Sequence, residues 1–250
     1  PALPCPQTNP SPGLQSATAY APGSIGNVGP GFDILGLAVT GAGDRVTAVR
    51  VGERGVSLLD KGHPALPGEP NRHAAAIAAR AVLRRADALD QGLALSVEKG
   101  LPLSGGQGGS AASAAAGAFA ANAVLGGPLS RLELVEAALE AEALVAGRHA
   151  DNVAPSILGG LVLVLSLDPL DLVELPPPSF LSIVLVRPEQ EVRTSVARSV
   201  VPHVLPRELA MRQAAHVAAL VLAISRGDLE LMARALDDAI AEPARAPGLP

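Results

Sequence analysis

The sequence predicts an α+β fold, and three observations lead there. Short apolar stretches of β character recur along the chain, helical spacing fills the gaps between them, and the early strands are separated only by short turns. The alternation is not a regular βαβα series, which favours α+β over a doubly wound sheet. At 250 residues, 48% of them hydrophobic, the chain can bury a core large enough for one large or two smaller domains.

Taken in order, residues 1–16, PALPCPQTNPSPGLQS, read as an irregular Pro-rich arm without an apolar signal core or an initiating Met. Strands are expected at 17–20, 34–40 and 44–51, then at 93–98, 161–167 and 181–187. Asn71 is placed to cap an alanine-rich helix running to about residue 89. A second helix is expected from Ser110 through AASAAAGAFAANAVL, where alanine propensity is strong. Ser130 with Glu133 forms a capping box for a third that runs towards residue 146. Pro206 opens another that Gly227 stops, and Asp228 caps the last. HADNVAPSILGG, residues 149–160, reads as a turn. A soft boundary at Gly159 and Gly160 divides the chain into residues 17–158 and 159–250.

Charge and composition exclude several functions. A net charge of −5, an aromatic share of 2% and no Lys/Arg block leave no nucleic-acid footprint. No apolar run approaches the roughly 20 residues that span a bilayer, so no membrane is expected. The single cysteine, Cys5, cannot form an internal disulfide, and no Cys/His cluster has zinc spacing. A cytoplasmic location is expected.

The stretch KGLPLSGGQGGSAAS, residues 99–113, follows an expected strand and opens an expected helix. Glycines there let backbone N–H groups approach an oxyanion, and a new helix offers unpaired N–H groups and its positive dipole end. Gly106, Gly108 and Ala111 satisfy G-x-G-x-x-G/A, but the acidic strand end that a dinucleotide site needs about 20 residues on is replaced by a turn and a helix. No Gly-Lys-Ser/Thr closes the loop, so it is not a Walker A motif. A third kind of phosphate loop remains, beside the plainer possibility of a tight turn with close helix packing.

Other segments supply context. ATAYAPGSIGNVGPGFDILGLAV (17–39), PLSGGQGGSAAS (102–113), HADNVAPSILGG (149–160), TSVARSVVP (194–202) and AEPAR (241–245) occur in that order. Together they resemble the GHMP family of small-molecule kinases, and within it the branch that phosphorylates homoserine. The resemblance implies an N-terminal ribosomal-protein-S5-like nucleotide domain and a C-terminal ferredoxin-like α/β sandwich. It implies ATP and Mg²⁺ as cofactors, L-homoserine as acceptor and O-phospho-L-homoserine on the threonine route as product, and it allows a homodimer.

Residue by residue, the resemblance places ATP against Asn71, Lys99, Pro102, Leu103, Ser104, Gly105, Gly106, Gln107, Gly108, Gly109, Ser110, Ala111, Ala112 and Ser113, and Mg²⁺ against Ser110 and Glu142. Asn27, Asp33, His149, Asn152, Arg198 and Arg245 would form the substrate pocket. Asp33 suits an ammonium group, and the guanidinium forks of Arg198 and Arg245 suit a carboxylate. No base is assigned; Asn27 and Arg198 would position the reacting groups. Asp151 is polar and lies beside this set in sequence. Read without the resemblance, Glu142 belongs to a solvated helix face shared with Glu136 and Glu140, His149 is a capping residue, and Asn27 and Asn152 are turn formers.

The sequence departs from the family pattern twice. Where the family loop reads Gly-Leu-Gly-Ser-Ser, Gln107 stands for the Leu and Gly109 for the first Ser, which removes one hydroxyl. The family's Gly-rich C-terminal motif would lie beyond Pro250, so the second domain reads as truncated. A kinase for another small alcohol, or a catalytically impaired binding protein of the same fold, stay open on the sequence.

Overall fold

The computed structural model describes residues 14–145, 147–176, 181–186 and 194–248. One six-stranded sheet carries the fold, with β1 (Ser16–Gly26), β2 (Leu35–Val51), β3 (Gly55–Asp60), β4 (Gly92–Glu98), β5 (Leu161–Leu167) and β6 (Leu170–Leu175). The order is β3-β4-β2-β5-β6, with β1 also paired to β2. Every pairing is antiparallel except β3 with β4.

β2 is the spine. Its 17 residues serve β4 at Arg45–Val51, β5 at Leu35–Leu37, and β1 along most of its length. The two strands expected at 34–40 and 44–51 are thus one, because β1 pairs on both sides of Gly41 and holds the Gly-Ala-Gly segment extended across a register shift at Pro22/Ser24. β3 and β6 are short and carry Asp and Glu, so their pattern alone does not mark them. Residues 181–186, expected as a strand, pair with no strand among the described residues, and Val184 and Val186 are 85% and 87% exposed. Residue 187 lies outside the described residues.

Four helices, α1 (Ala74–Arg85), α2 (Gly109–Val124), α3 (Arg131–Val145) and α4 (Ala150–Leu158), build the larger core with the sheet. α1 starts at His73 rather than Asn71, which is exposed on the preceding turn, and it ends at Arg85 because Asp87 turns left-handed at φ 51°. The capping box is present: Ser130 N and Oγ both donate to Glu133 Oε2, at 2.8 and 2.6 Å. The segment expected as a turn is α4. Its Ala150, Val153, Ala154 and Ile157 are buried in the core, and that burial outweighs the turn character of Asn152 and Pro155.

The chain then forms α5 (Thr194–Ser199), α6 (Arg207–Arg226), α7 (Leu229–Ala235) and α8 (Ala241–Arg245). α6 starts at Pro206 and stops at the left-handed Gly227, and Asp228 Oδ1 caps α7 by accepting from Leu231 N at 2.9 Å, all as the sequence predicts. α6 and α7 pack Leu220, Ile224 and Met232 on Leu35, Leu37 and Leu161 as a second, smaller core.

Alanine dominates the first core, so the helices approach closely. A Cβ on Gly117 of α2 would lie 2.5 Å from the carbonyl oxygen of Ala75 in α1. Helix propensity alone would make Gly117→Ala stabilising by about 0.5–1 kcal/mol, but overpacking two backbones costs about 1–3 kcal/mol. Gly117→Ala is therefore expected to lower Tm, and Gly117→Val to lower it further, in thermal unfolding followed by circular dichroism.

Candidate active site

β4 delivers the chain to a loop that ends at the start of α2. Ser104, Gly106 and Gly108 take left-handed conformations at φ 53°, 67° and 64°, and Gly108 caps α2 without a side-chain bond. The first-turn N–H groups of a helix have no partners within it, and α2 contributes no acidic residue there to occupy them. A Cβ on Gly108 would meet Ser24 Oγ at 2.1 Å and Asn152 Oδ1 at 2.9 Å, so only glycine fits. The loop is stitched to β1: Ser24 N donates to Gln107 O at 3.1 Å, and Ser24 Oγ to Asn152 Oδ1 at 2.9 Å.

Beneath the loop lies a buried charge pair. Lys99 Nζ donates to the Asp44 carboxylate, to Gly109 O at 2.9 Å and to Ser113 Oγ at 3.0 Å. Asp44 is wholly buried and also accepts from Gly100 N, Leu101 N and Ser113 Oγ, at 3.1, 3.3 and 2.6 Å. All three ammonium protons are committed, so Lys99 supports the loop from below.

α3 divides its acidic residues. Glu136 and Glu140 face Arg84 and Arg85 of α1 as surface ion pairs. Glu142 instead turns inward to 6% exposure and accepts a 2.9 Å bond from Ser110 Oγ at the start of α2. Burial pushes its carboxyl up to about 7; the Ser110 bond opposes that shift and the Asp151 charge adds to it.

The turn between β1 and β2 holds a third group. Asn27 and Asp33 are both left-handed, at φ 56° and 63°, and Asn27 Oδ1 accepts from Asp33 N at 2.9 Å. Arg198 of α5 grips Asp33 with both guanidinium nitrogens, at 2.9 and 2.5 Å, and His149 Nδ1 lies 3.5 Å from Asp33 Oδ1. Arg198 and Arg245 both lie over the Phe32 ring, 5.3 and 4.9 Å from its centroid. Burial pushes the His149 imidazole down, against the pull of Asp33. Burial, and then Arg198, pushes Arg245 down, while burial and the Asp33 charge push Asp151 up to about 6.

A phosphate-type loop, an inward carboxylate beside its first hydroxyl and a paired Asp–Arg cluster thus face one region. A family model for the GHMP kinases N terminal domain matches residues 73–160. Homoserine kinase of Chlorobium phaeobacteroides is 41% identical over 249 residues, covering 95% of this chain and 78% of that one. The chain belongs to the homoserine kinase family. Homoserine kinase of Arabidopsis thaliana is 44% identical and covers 96% of this chain and 67% of its own. The crystal structure of homoserine kinase from Cytophaga hutchinsonii superposes with a TM-score of 0.85 at 34% identity, over 100% of this chain and 78% of that one. The mevalonate kinase of L. major, at 18% identity and a TM-score of 0.60, shares the fold. The GHMP kinase fold is therefore the fold of this member.

The structure brings Asn27, Asp33, His149, Arg198 and Arg245 together, and places Ser110 against Glu142. Asn152 lies between the two groups, its Oδ1 against Ser24 and Gly108 and its Nδ2 against Gly26, next to Asn27. Ser113 points its hydroxyl inward at Asp44, and Ala111 and Ala112 are buried in the first turn of α2. Pro102, Leu103 and Gly105 lie in the loop, and Gly109 is the first residue of α2. Asp44, Ser24 and Phe32 were not legible as site residues, since each acts through a partner remote in sequence.

The family implies Mg²⁺. Among the described residues no three His, Cys, Asp or Glu side chains gather as a metal cage. One buried carboxylate beside one hydroxyl, Glu142 and Ser110, nonetheless fits an ion that keeps several waters and takes its remaining oxygens from phosphates.

Two outcomes are expected. Asp44→Asn leaves the buried Lys99 ammonium without its counter-charge, so chemical denaturation should register a loss of about 3–5 kcal/mol. Glu142 is raised in the fold, from 4.5 to about 7, so the stability it contributes is complete below pH 4.5 and disappears as pH rises through 7. In metal-free protein, Glu142→Gln should therefore gain stability relative to the parent between pH 5 and 8, measured as the Tm difference.

Proposed function

We propose that this chain transfers the γ-phosphoryl group of ATP to the side-chain hydroxyl of L-homoserine, giving O-phospho-L-homoserine for threonine biosynthesis. The observation that carries this function is the Asp33–Arg198 pair, tied through Asn27 to Asp151 of α4, whose neighbour Asn152 lies against Gly108 at the start of α2. A carboxylate and a guanidinium in contact provide the two opposite charges that an amino-acid zwitterion requires. Phosphate oxygens would meet the free N–H groups at the start of α2, favoured by its dipole. No helix among the described residues is long and apolar enough to cross a membrane, which is compatible with a cytoplasmic biosynthetic enzyme.

Each group has a physical role. Gly105 to Ser110 would wrap the β- and γ-phosphates, with Lys99 and Asp44 holding the loop's shape from below. Asn71 and the rest of the loop would complete the nucleotide side, within residues 17–158. Residues 159–250 would contribute Arg198 and Arg245 to the substrate carboxylate, while Asp33 takes the ammonium. Glu142 and Ser110 would hold Mg²⁺, which offsets negative charge on the phosphates. Phosphoryl transfer has a loose transition state, so alignment and charge neutralisation dominate, and the hydroxyl needs no strong base. Asn27 and Arg198 would supply alignment.

ADP release with Mg-ATP and L-homoserine, L-serine or mevalonate tests the assignment. L-Homoserine should be turned over well above the other two; a preference for mevalonate, or no turnover of any, would overturn it. Asp33→Asn should raise KM for homoserine at least tenfold and leave KM for ATP within twofold, since losing a charge-assisted contact costs about 1.5–3 kcal/mol. The deaminated analogue should lose less, with equal melting temperatures confirmed first.

A further inference from the structure

Among the described residues, two carboxylates, Asp44 and Asp151, have no exposed surface. Asp44 is surrounded by donors, whereas Asp151 is not. Its Oδ2 accepts from Asn27 N at 3.1 Å, and Oδ1 has no partner from another residue among those described. A buried carboxylate with so few donors is costly, and nothing in the transfer chemistry above uses it. It sits in the first turn of α4, between His149, which faces Asp33, and Asn152, which bonds Ser24. It also lies hard against β1, for a Cβ on Gly26 would be 2.3 Å from Oδ2.

What Asp151 holds is a chain of contacts ending at the substrate charges. The Asn27 N–H that it accepts belongs to a left-handed residue, a conformation that asparagine tolerates better than most side chains when local hydrogen bonds hold it. The Asn27 side chain then accepts from the amide of Asp33, itself left-handed, and Asp33 carries Arg198 in a two-point contact. Without an acceptor at Asp151, the Asn27 N–H loses the bond that fixes it against α4, and the Asp33 carboxylate would lose its set direction.

We propose that Asp151 is a positioning residue for the amino-acid substrate: its carboxylate holds Asn27 left-handed and, through the Asn27 side chain, sets where Asp33 and Arg198 present their charges. With no exposed surface, Asp151 does not itself meet the acceptor hydroxyl. The proposal rests on the assignment of Asp33 to the substrate ammonium.

Asp151→Ala removes the acceptor, and Asp151→Asn keeps the shape and one acceptor oxygen. Asp151→Ala should raise KM for L-homoserine at least tenfold, with KM for ATP within twofold and a smaller change in kcat; Asp151→Asn should recover most of the loss, leaving about threefold. In amide hydrogen exchange on the unliganded protein, Asn27 and Asp33 should exchange at least tenfold faster in Asp151→Ala, while Ala115 in α2 is unchanged. If Asp151→Ala lacks a cooperative melt, Asp151→Asn decides, by the same selective effect on homoserine. Unchanged kinetics, equal losses for both substrates, or unaltered exchange at Asn27 would overturn the proposal. If the parent protein turns over no homoserine, the functional assignment fails by itself, and the exchange data still decide whether Asp151 holds the turn.

Discussion

The contact between Lys99 and Asp44 is the constraint on which the site depends. It lies where the middle of β2, the end of β4 and the first turn of α2 meet, and neither group has water to fall back on. α2 is almost wholly alanine and glycine on its buried positions, so its small, similar side chains do little to specify its rotation or height against the sheet. Ser113, Gly109 and the buried charge pair supply that specification. A burial of opposite charges is weak as a source of net stability but strict about geometry, because any misplacement strands a charge in the core. The loop above therefore inherits its position from a network that touches no phosphate.

From this base the site is assembled by α4. Three positions at its start reach both halves of the site: His149 at the cap approaches Asp33 and Asp151 accepts from Asn27, both in the β1–β2 turn, while Asn152 accepts from Ser24 and closes on Gly108. A single rigid helix, anchored in the alanine core by Ala150, Val153 and Ala154, thus sets the phosphate loop and the substrate turn relative to each other. In-line transfer needs that kind of common frame, since small misplacements of the acceptor cost rate.

The electrostatics follow from the same packing. Asp33, Asp151 and Glu142 are three carboxylates in one region, answered by Arg198 and Arg245, while burial pushes the His149 imidazole down. Asp33 is satisfied by two-point contact, while Glu142 and Asp151 are pushed up because desolvation outweighs their few donors. Phe32 spreads under both guanidinium groups and keeps them near each other despite their repulsion.

Local pattern decided what depends on local chemistry. The strand–glycine–helix order of residues 93–124, the Ser130/Glu133 box, the Pro206 start and Gly227 stop of α6 and the Asp228 cap were legible because propensity, capping and turn strain act within a few residues. The motifs carried the family and its candidate residues. Tertiary structure alone decided that 149–158 is helix, that β2 is unbroken, that 181–186 finds no partner strand among the described residues and that Lys99 points inward. Each of these turns on a partner far along the chain: Lys99 and Asp44 are 55 residues apart, Arg198 and Asp33 165. Burial and charge pairing across such distances leave no trace in local periodicity, so only the folded chain could show which side chains meet.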